Sequence, residues 1–145
     1  MKLPKSSAYL LAVLVIALAA SPALAGATVV LGAKAFAPNG SGWGTAEPEE
    51  ILNGGDPSGL VTDIRSRSCG GSVAIGFGRT SIFKPHGGYY RRQVRLELKA
   101  HSLGRCGSQR AYTQLSVRGP KRPGGPLGPW GSWTDAATIC SAPSY

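Results

Sequence analysis

Gln93-Val-Arg-Leu-Glu-Leu-Lys-Ala-His101 and, a few residues later, Arg110-Ala-Tyr-Thr-Gln-Leu-Ser-Val-Arg118 are the stretches that decide how this chain folds. In the first, Val94, Leu96, Leu98 and Ala100 alternate with Gln93, Arg95, Glu97, Lys99 and His101. That is the period of a strand with one dry face and one wet face, and no helix sorts these residues as cleanly. In the second, Ala111, Thr113, Leu115 and Val117 share one face while Tyr112, Gln114, Ser116 and Arg118 share the other. Residues Ser102 to Gln109 between them read as a turn, so the two segments are expected to form an antiparallel pair in a half-buried sheet.

Upstream, Leu60 to Arg67 reads as a further strand, with Leu60, Thr62 and Ile64 on one face and Asp63, Arg65 and Arg67 on the other. Ser68 to Ser72 interrupts it, and the pair Gly70-Gly71 suggests a bulge or tight turn. From Val73 to Phe83 the chain alternates again, and the small residues Ala74, Gly76 and Gly78 leave one face nearly bare. Close packing of another layer explains such a face best, with a ligand groove as the second explanation. Ala27 to Ala35 has the parity of a first strand, and Thr45 to Leu52 fits either one helical turn or a short strand from Glu49 to Leu52.

Downstream, Gly119 to Trp130 is too rich in proline and glycine for a central strand and is expected to cross the surface extended, partly as polyproline. Trp133 to Cys140 supplies a last short strand. Pro38 to Gly44 and Pro85 to Arg92 read as loops. About seven strand-length segments, punctuated by turn signals and free of helical periodicity, predict an all-β fold, a small antiparallel β-sandwich.

The chain opens with Lys2 and Lys5, an apolar run from Ala8 to Ala20 and then Ala23-Leu-Ala25, the three parts of a secretory signal peptide. Residues 1–25 are therefore expected to be removed, leaving residues 26–145 as one secreted domain. Ser21 and Pro22 cut the apolar run short of the roughly 20 residues a membrane span needs, and no later stretch is apolar enough to serve. Without the two leader lysines, 14 basic residues face 7 acidic ones, a net charge of +7. Such an excess speaks about partners and not about fold. Anionic cell-wall polymers and other polyanions, including phospholipid headgroups and extracellular nucleic acid, are the natural candidates, and solubility alone is the bland alternative.

Three cysteines in an exported chain allow one internal disulfide and one leftover thiol. Bridging Cys106 to Cys140 would tie the proline-rich crossing and the tail to the sheet, which leaves Cys69 free. A free thiol beside Gly70-Gly71 admits a nucleophile reading with His86 or His101 as base, but that chemistry needs an imidazole within hydrogen-bond reach and a third group to orient it. The spacing supplies neither, so no catalytic residue is assigned. The histidines and cysteines are too scattered for a metal site, and neither a phosphate-loop motif nor a carboxylate pair is present, so no metal or cofactor is expected.

The most suggestive cluster is basic and aromatic. Arg65 and Arg67 share a strand face, and Tyr89-Tyr-Arg-Arg92 leads into Arg95. If those strands are neighbours, Arg65, Arg67, Arg91, Arg92 and Arg95 form a row of guanidinium groups flanked by phenol rings. Such a row could grip phosphate or carboxylate in bidentate fashion.

Leu60-Val-Thr-Asp-Ile64, Gly70-Gly-Ser-Val-Ala-Ile-Gly-Phe-Gly78, Val94 to Ala100, Cys106 and Ala111-Tyr-Thr-Gln-Leu115, in that order, resemble a group of small secreted actinobacterial proteins. In that group a Trp-x-x-Trp-Gly-Gly element precedes an Ala-x-Gly-x-Gly strand, and a Cys-x5-Tyr turn follows. Ser66 and Cys69 stand here where the tryptophans would, which favours Cys69 as the unpaired thiol. The resemblance implies export and a β-rich domain, and it supplies no activity. A non-enzymatic, secreted or envelope-associated protein that binds anionic polymer is the first expectation. A thiol hydrolase using Cys69 is the second, and a secreted toxin or inhibitor binding a protein through Trp130 to Trp133 is the third.

Overall fold

The expected hairpin is the spine of the molecule. In the computed structural model, which describes residues 27–143, the strands run in chain order as β1 (Val30–Leu31), β2 (Ile51–Leu52), β3 (Leu60–Ser68), β4 (Ala74–Thr80), β5 (Val94–Cys106), β6 (Gln109–Arg118) and β7 (Gly131–Ser132). The proposed signal peptide, residues 1–25, lies outside the described residues. Strand β5 pairs antiparallel with β6 in one unbroken register, from Glu97 opposite Arg118 to Cys106 opposite Gln109. On β5 the dry face is as the alternation requires, with Val94, Leu96, Leu98 and Ala100 buried. On β6 the alternation fails at one place: Tyr112, expected on the wet face, is 4% exposed in the main core, and Thr113, expected on the dry face, is only half-buried. The chain kinks at Ser102, after which Leu103 and its cross-strand partner Tyr112 turn inward together.

The turn is shorter than residues 102–109. Strand β5 continues through Cys106, and only Gly107-Ser108 connects it to β6. Gly107 carries φ +63°, the positive value that a two-residue hairpin with glycine first demands. A local kink at Ser102, φ +57°, interrupts the strand pattern without shifting the register.

All seven strands belong to one sheet in the order β1-β6-β5-β4-β3-β2, with β7 sharing the outer edge of β6 with β1. The fold is all-β, as expected, and 43% of it is strand. Its facing layers are the flanks of a single sheet curled into a half-barrel. One pairing, β1 with β6, is parallel, which makes the sheet mixed. Residues 41–45 span the gap between the two edges. Ser41 exchanges backbone hydrogen bonds with Leu52 of β2, while Leu31 of β1 accepts from Gly44 and donates to Thr45.

The curl has a local cause in β3. Its pairing with β4 shifts by one residue between Thr62 and Arg65 and again between Ser66 and Ser68, so β3 carries two bulges, the first around Asp63 at φ +53°. Bulges bend a strand and increase its twist. They also break the expected parity. Val61 and Ile64 turn inward together, while Leu60 and Thr62 are only half-buried. The small residues of β4 make room for them: a Cβ on Gly78 would lie 2.4 Å from Cγ1 of Val61.

The core is closed by irregular chain. Trp43, read as part of a loop, is 2% exposed and packs edge-on against Phe36 at 4.6 Å and beside Trp133 at 6.4 Å. Both indoles are satisfied, Trp43 donating to the Leu52 carbonyl and Trp133 to Asn53 Oδ1. Such partners are what burial of an indole requires. The first strand is reduced to Val30–Leu31, followed by a 3-10 turn at Lys34–Phe36. The last is Gly131–Ser132, and Trp133–Asp135 is another 3-10 turn. Ile139 packs into the core without joining a strand.

Cys106 and Cys140 are bonded, with their Cα atoms 5.1 Å apart, and Cys69 is free. The bridge sits in a small cluster with Val30, Ala33 and Ala111, where it holds the tail against β1 and β6. Among the described residues no helix is long and apolar enough to cross a membrane.

Candidate anion-binding groove

The outer face of the sheet carries the basic residues. Because β4 and β5 are paired in register, Arg79 stands directly opposite Arg95 and Phe77 opposite Glu97, and Arg65 of β3 faces Phe77 from the other side. Alternation along each strand then puts Arg65, Phe77, Arg79 and Arg95 on one surface. The guanidinium of Arg95 lies over the Phe77 ring, 4.1 Å from its centroid, in a cation–π contact.

A groove of about 600 Å³ opens over this surface, lined by Arg65, Arg79, Arg92 and Arg95 together with Phe77 and Asp63. Its far wall is the proline-rich segment, which does not run extended across the surface. Gly119 to Gly128 folds back on itself, with a bridge between Pro120 and Leu127 and a turn closed by Gly125 N–H donating to the Arg122 carbonyl. Trp130 anchors this segment, its indole taking Lys99 Nζ and the Arg118 guanidinium at 4.7 Å each.

Three of the five expected arginines, Arg65, Arg92 and Arg95, therefore meet. Arg67 and Arg91 are exposed but lie outside the groove. The second bulge in β3, between Ser66 and Ser68, breaks the two-residue parity that would have kept Arg67 beside Arg65. The expected phenol rings are also elsewhere. Tyr89 stacks on Phe83 at 4.4 Å in a small hairpin around residues 82–90, and the groove's aromatic is Phe77. Arg79 is the fourth member, and its place opposite Arg95 follows from a register across the 81–93 connection, which no local pattern in the sequence encodes.

The groove is electrostatically lopsided. Glu97 is occupied by Arg118, whose Nε donates to Oε2 at 2.6 Å. No carboxylate among the described residues comes within 4.0 Å of the four groove arginines. Like charges placed directly opposite on a sheet are unfavourable, and among the described residues the Arg79–Arg95 pair has no carboxylate in salt-bridge contact to relieve it, although Asp63 also lines the groove.

Cys69 is not assembled into a catalytic group. It is exposed, and the Glu47 side chain, by hydrogen bonding to the thiol, pushes its pKa up, with desolvation and the Glu47 charge adding to the effect. That is opposite to the activation a thiol nucleophile needs. The cavities that Cys69 borders contain no imidazole among their lining residues. His86 is exposed within the 82–90 hairpin, and His101 is held by Ser102 Oγ at 3.1 Å and Ser116 Oγ at 2.8 Å. Nor does the Trp130 to Trp133 loop present an aromatic anchor, since Trp133 is buried and Trp130 is half-buried beneath two cations. Comparison with protein-family models, with curated proteins and with solved structures gives no match to this chain.

Proposed function

We propose that this is an exported, non-enzymatic β protein that binds anionic polymer of the cell envelope through its basic groove. The observation that carries the reading is the meeting of Arg65, Arg79, Arg92 and Arg95 in one open groove where none has a carboxylate partner within 4.0 Å among the described residues. Four permanently charged, forked donors facing water form a surface to which oxyanions are attracted. The leader-like segment at residues 1–25, the disulfide and the resemblance to small secreted actinobacterial proteins support an extracellular or envelope location for it. An open groove with a stacked guanidinium and no paired acid and base suits binding better than turnover.

Sedimentation with purified cell walls tests this. The protein should pellet with walls at low salt and be released as ionic strength rises from about 0.01 to 0.5 M, because exposed charge pairs are screened over that range. Salt-independent pelleting, or none at low salt, would overturn it.

A further inference from the structure

Resting on the polyanion reading above, we propose that the Arg79–Arg95 pair is a phosphate-selective subsite, so that the polymer recognised is a phosphodiester chain and not a carboxylate glycan. The geometry of the pair distinguishes the two. Arg79 and Arg95 are direct cross-strand partners, so both stems rise from neighbouring points on one face and both line the same groove. Arg95 is already positioned: its guanidinium rests on the Phe77 ring at 4.1 Å. Stacking uses the flat face of a guanidinium and leaves its edge N–H groups free to donate.

A carboxylate offers about four lone-pair sites, all in the one plane of its two oxygens, and one guanidinium fork takes two of them. A second fork can reach the remaining sites only by lying in that same plane, which two side chains rising next to each other from one sheet face do not readily do. A phosphodiester is tetrahedral and holds its two free oxygens in a plane set across its ester bonds, so each oxygen can face a different arginine. Two forks rising side by side therefore favour the tetrahedral ion. The same ion offsets the mutual repulsion of the pair, which no carboxylate within 4.0 Å relieves among the described residues. The wall of Pro120, Pro123 and Leu127 opposite the arginines suits the uncharged carbon links of such a chain.

The test compares oligo(glycerol phosphate), oligogalacturonate with the same number of charges, and inorganic orthophosphate, each titrated calorimetrically into the full secreted protein at one fixed salt concentration. Two double variants remove equal charge: Arg79→Gln with Arg95→Gln in the groove, and Arg67→Gln with Arg91→Gln outside it. All four positions are exposed, and circular dichroism checks that the variants fold. We expect oligo(glycerol phosphate) to bind at least about tenfold tighter than oligogalacturonate. The groove variant should lose at least about tenfold for the phosphate polymer, and the outer variant no more than about threefold for either. Equal affinity for the two polymers in the native protein overturns phosphate selectivity while leaving the polyanion reading intact. Equal losses in the two double variants overturn the Arg79–Arg95 assignment. Absence of binding to both polymers at low salt overturns the polyanion reading itself. Orthophosphate that binds as tightly as the polymer, with the same loss in the groove variant, supports the pair as a phosphate site and overturns the polymer as its source.

Discussion

Replacing Gly78 with alanine should destabilise the protein, and the reason can be worked from a single contact. The new Cβ would sit 2.4 Å from Val61 Cγ1, with Ile64 Cγ1 and the Thr62 carbonyl oxygen at 3.1 Å. Val61 would have to retreat by about 1 Å to regain ordinary contact. It has nowhere to go, being 0% exposed, β-branched and so stiff at χ1, and held on a strand paired on both sides. Overpacking of this kind costs about 1–3 kcal/mol. The lower entropy of the unfolded alanine chain returns about 0.4–1 kcal/mol, leaving a net loss centred on about 1.3 kcal/mol and at most about 2.6 kcal/mol. Gly76→Ala is the internal control, since its Cβ would approach nothing closer than the Arg65 carbonyl oxygen at 3.3 Å. There the two effects should cancel to within about 0.5 kcal/mol. Urea unfolding followed by the fluorescence of the buried Trp43 and Trp133 measures both, with an unchanged m-value as the sign that only stability moved. Gly78→Ala as stable as the native protein would mean that β4 and β3 do not press together. The bare face of β4 would then need a different explanation, such as an enclosed ligand.

Reducing the Cys106–Cys140 bridge, which closes a 34-residue separation, should cost up to about 4 kcal/mol in the loop-entropy model, read as a lowered urea midpoint in dithiothreitol; an unchanged midpoint would show that the bridge carries no stability. Trp43→Ala should cost about 3–5 kcal/mol, because it empties the aromatic cluster that closes the half-barrel; a loss below about 1 kcal/mol would contradict that role. Cys69 should react with iodoacetamide more slowly at pH 8 than a free cysteine peptide, and Glu47→Gln should speed it, since Glu47 favours the protonated thiol. Faster labelling than the peptide would reopen the thiol-nucleophile reading. Burial, with the Lys99 charge, holds the His101 imidazole below its usual pKa of 6.5, so the unfolded chain binds the proton more readily. Stability should therefore fall as pH drops through the ordinary imidazole range. The fall should be smaller in His101→Gln, and an identical pH profile in that variant would refute the assignment.

What the sequence determined by itself is what depends on neighbours two residues apart. The period-two alternation in 94–100 and 110–118 specified the central hairpin, and that in 94–100 its dry face, because a pleated strand sends successive side chains to opposite sides; in 110–118 it misplaced Tyr112, which the kink at Ser102 brings into the core. Cysteine number and placement identified the bridge. Charge excess and the arginines at 65, 92 and 95 pointed to the groove. Only the tertiary structure decided the rest. The bulges in β3 turned Val61 inward and carried Arg67 away, and a bulge is set by the pairing partner as much as by the bulged residues. Trp43 became core because segments on either side of it bond to opposite edges of the sheet. Arg79 joined Arg95 through a register between strands that the chain connects only by a long detour. Long-range contacts of this kind leave no local period to read, and it is they that curl the sheet and gather the arginines.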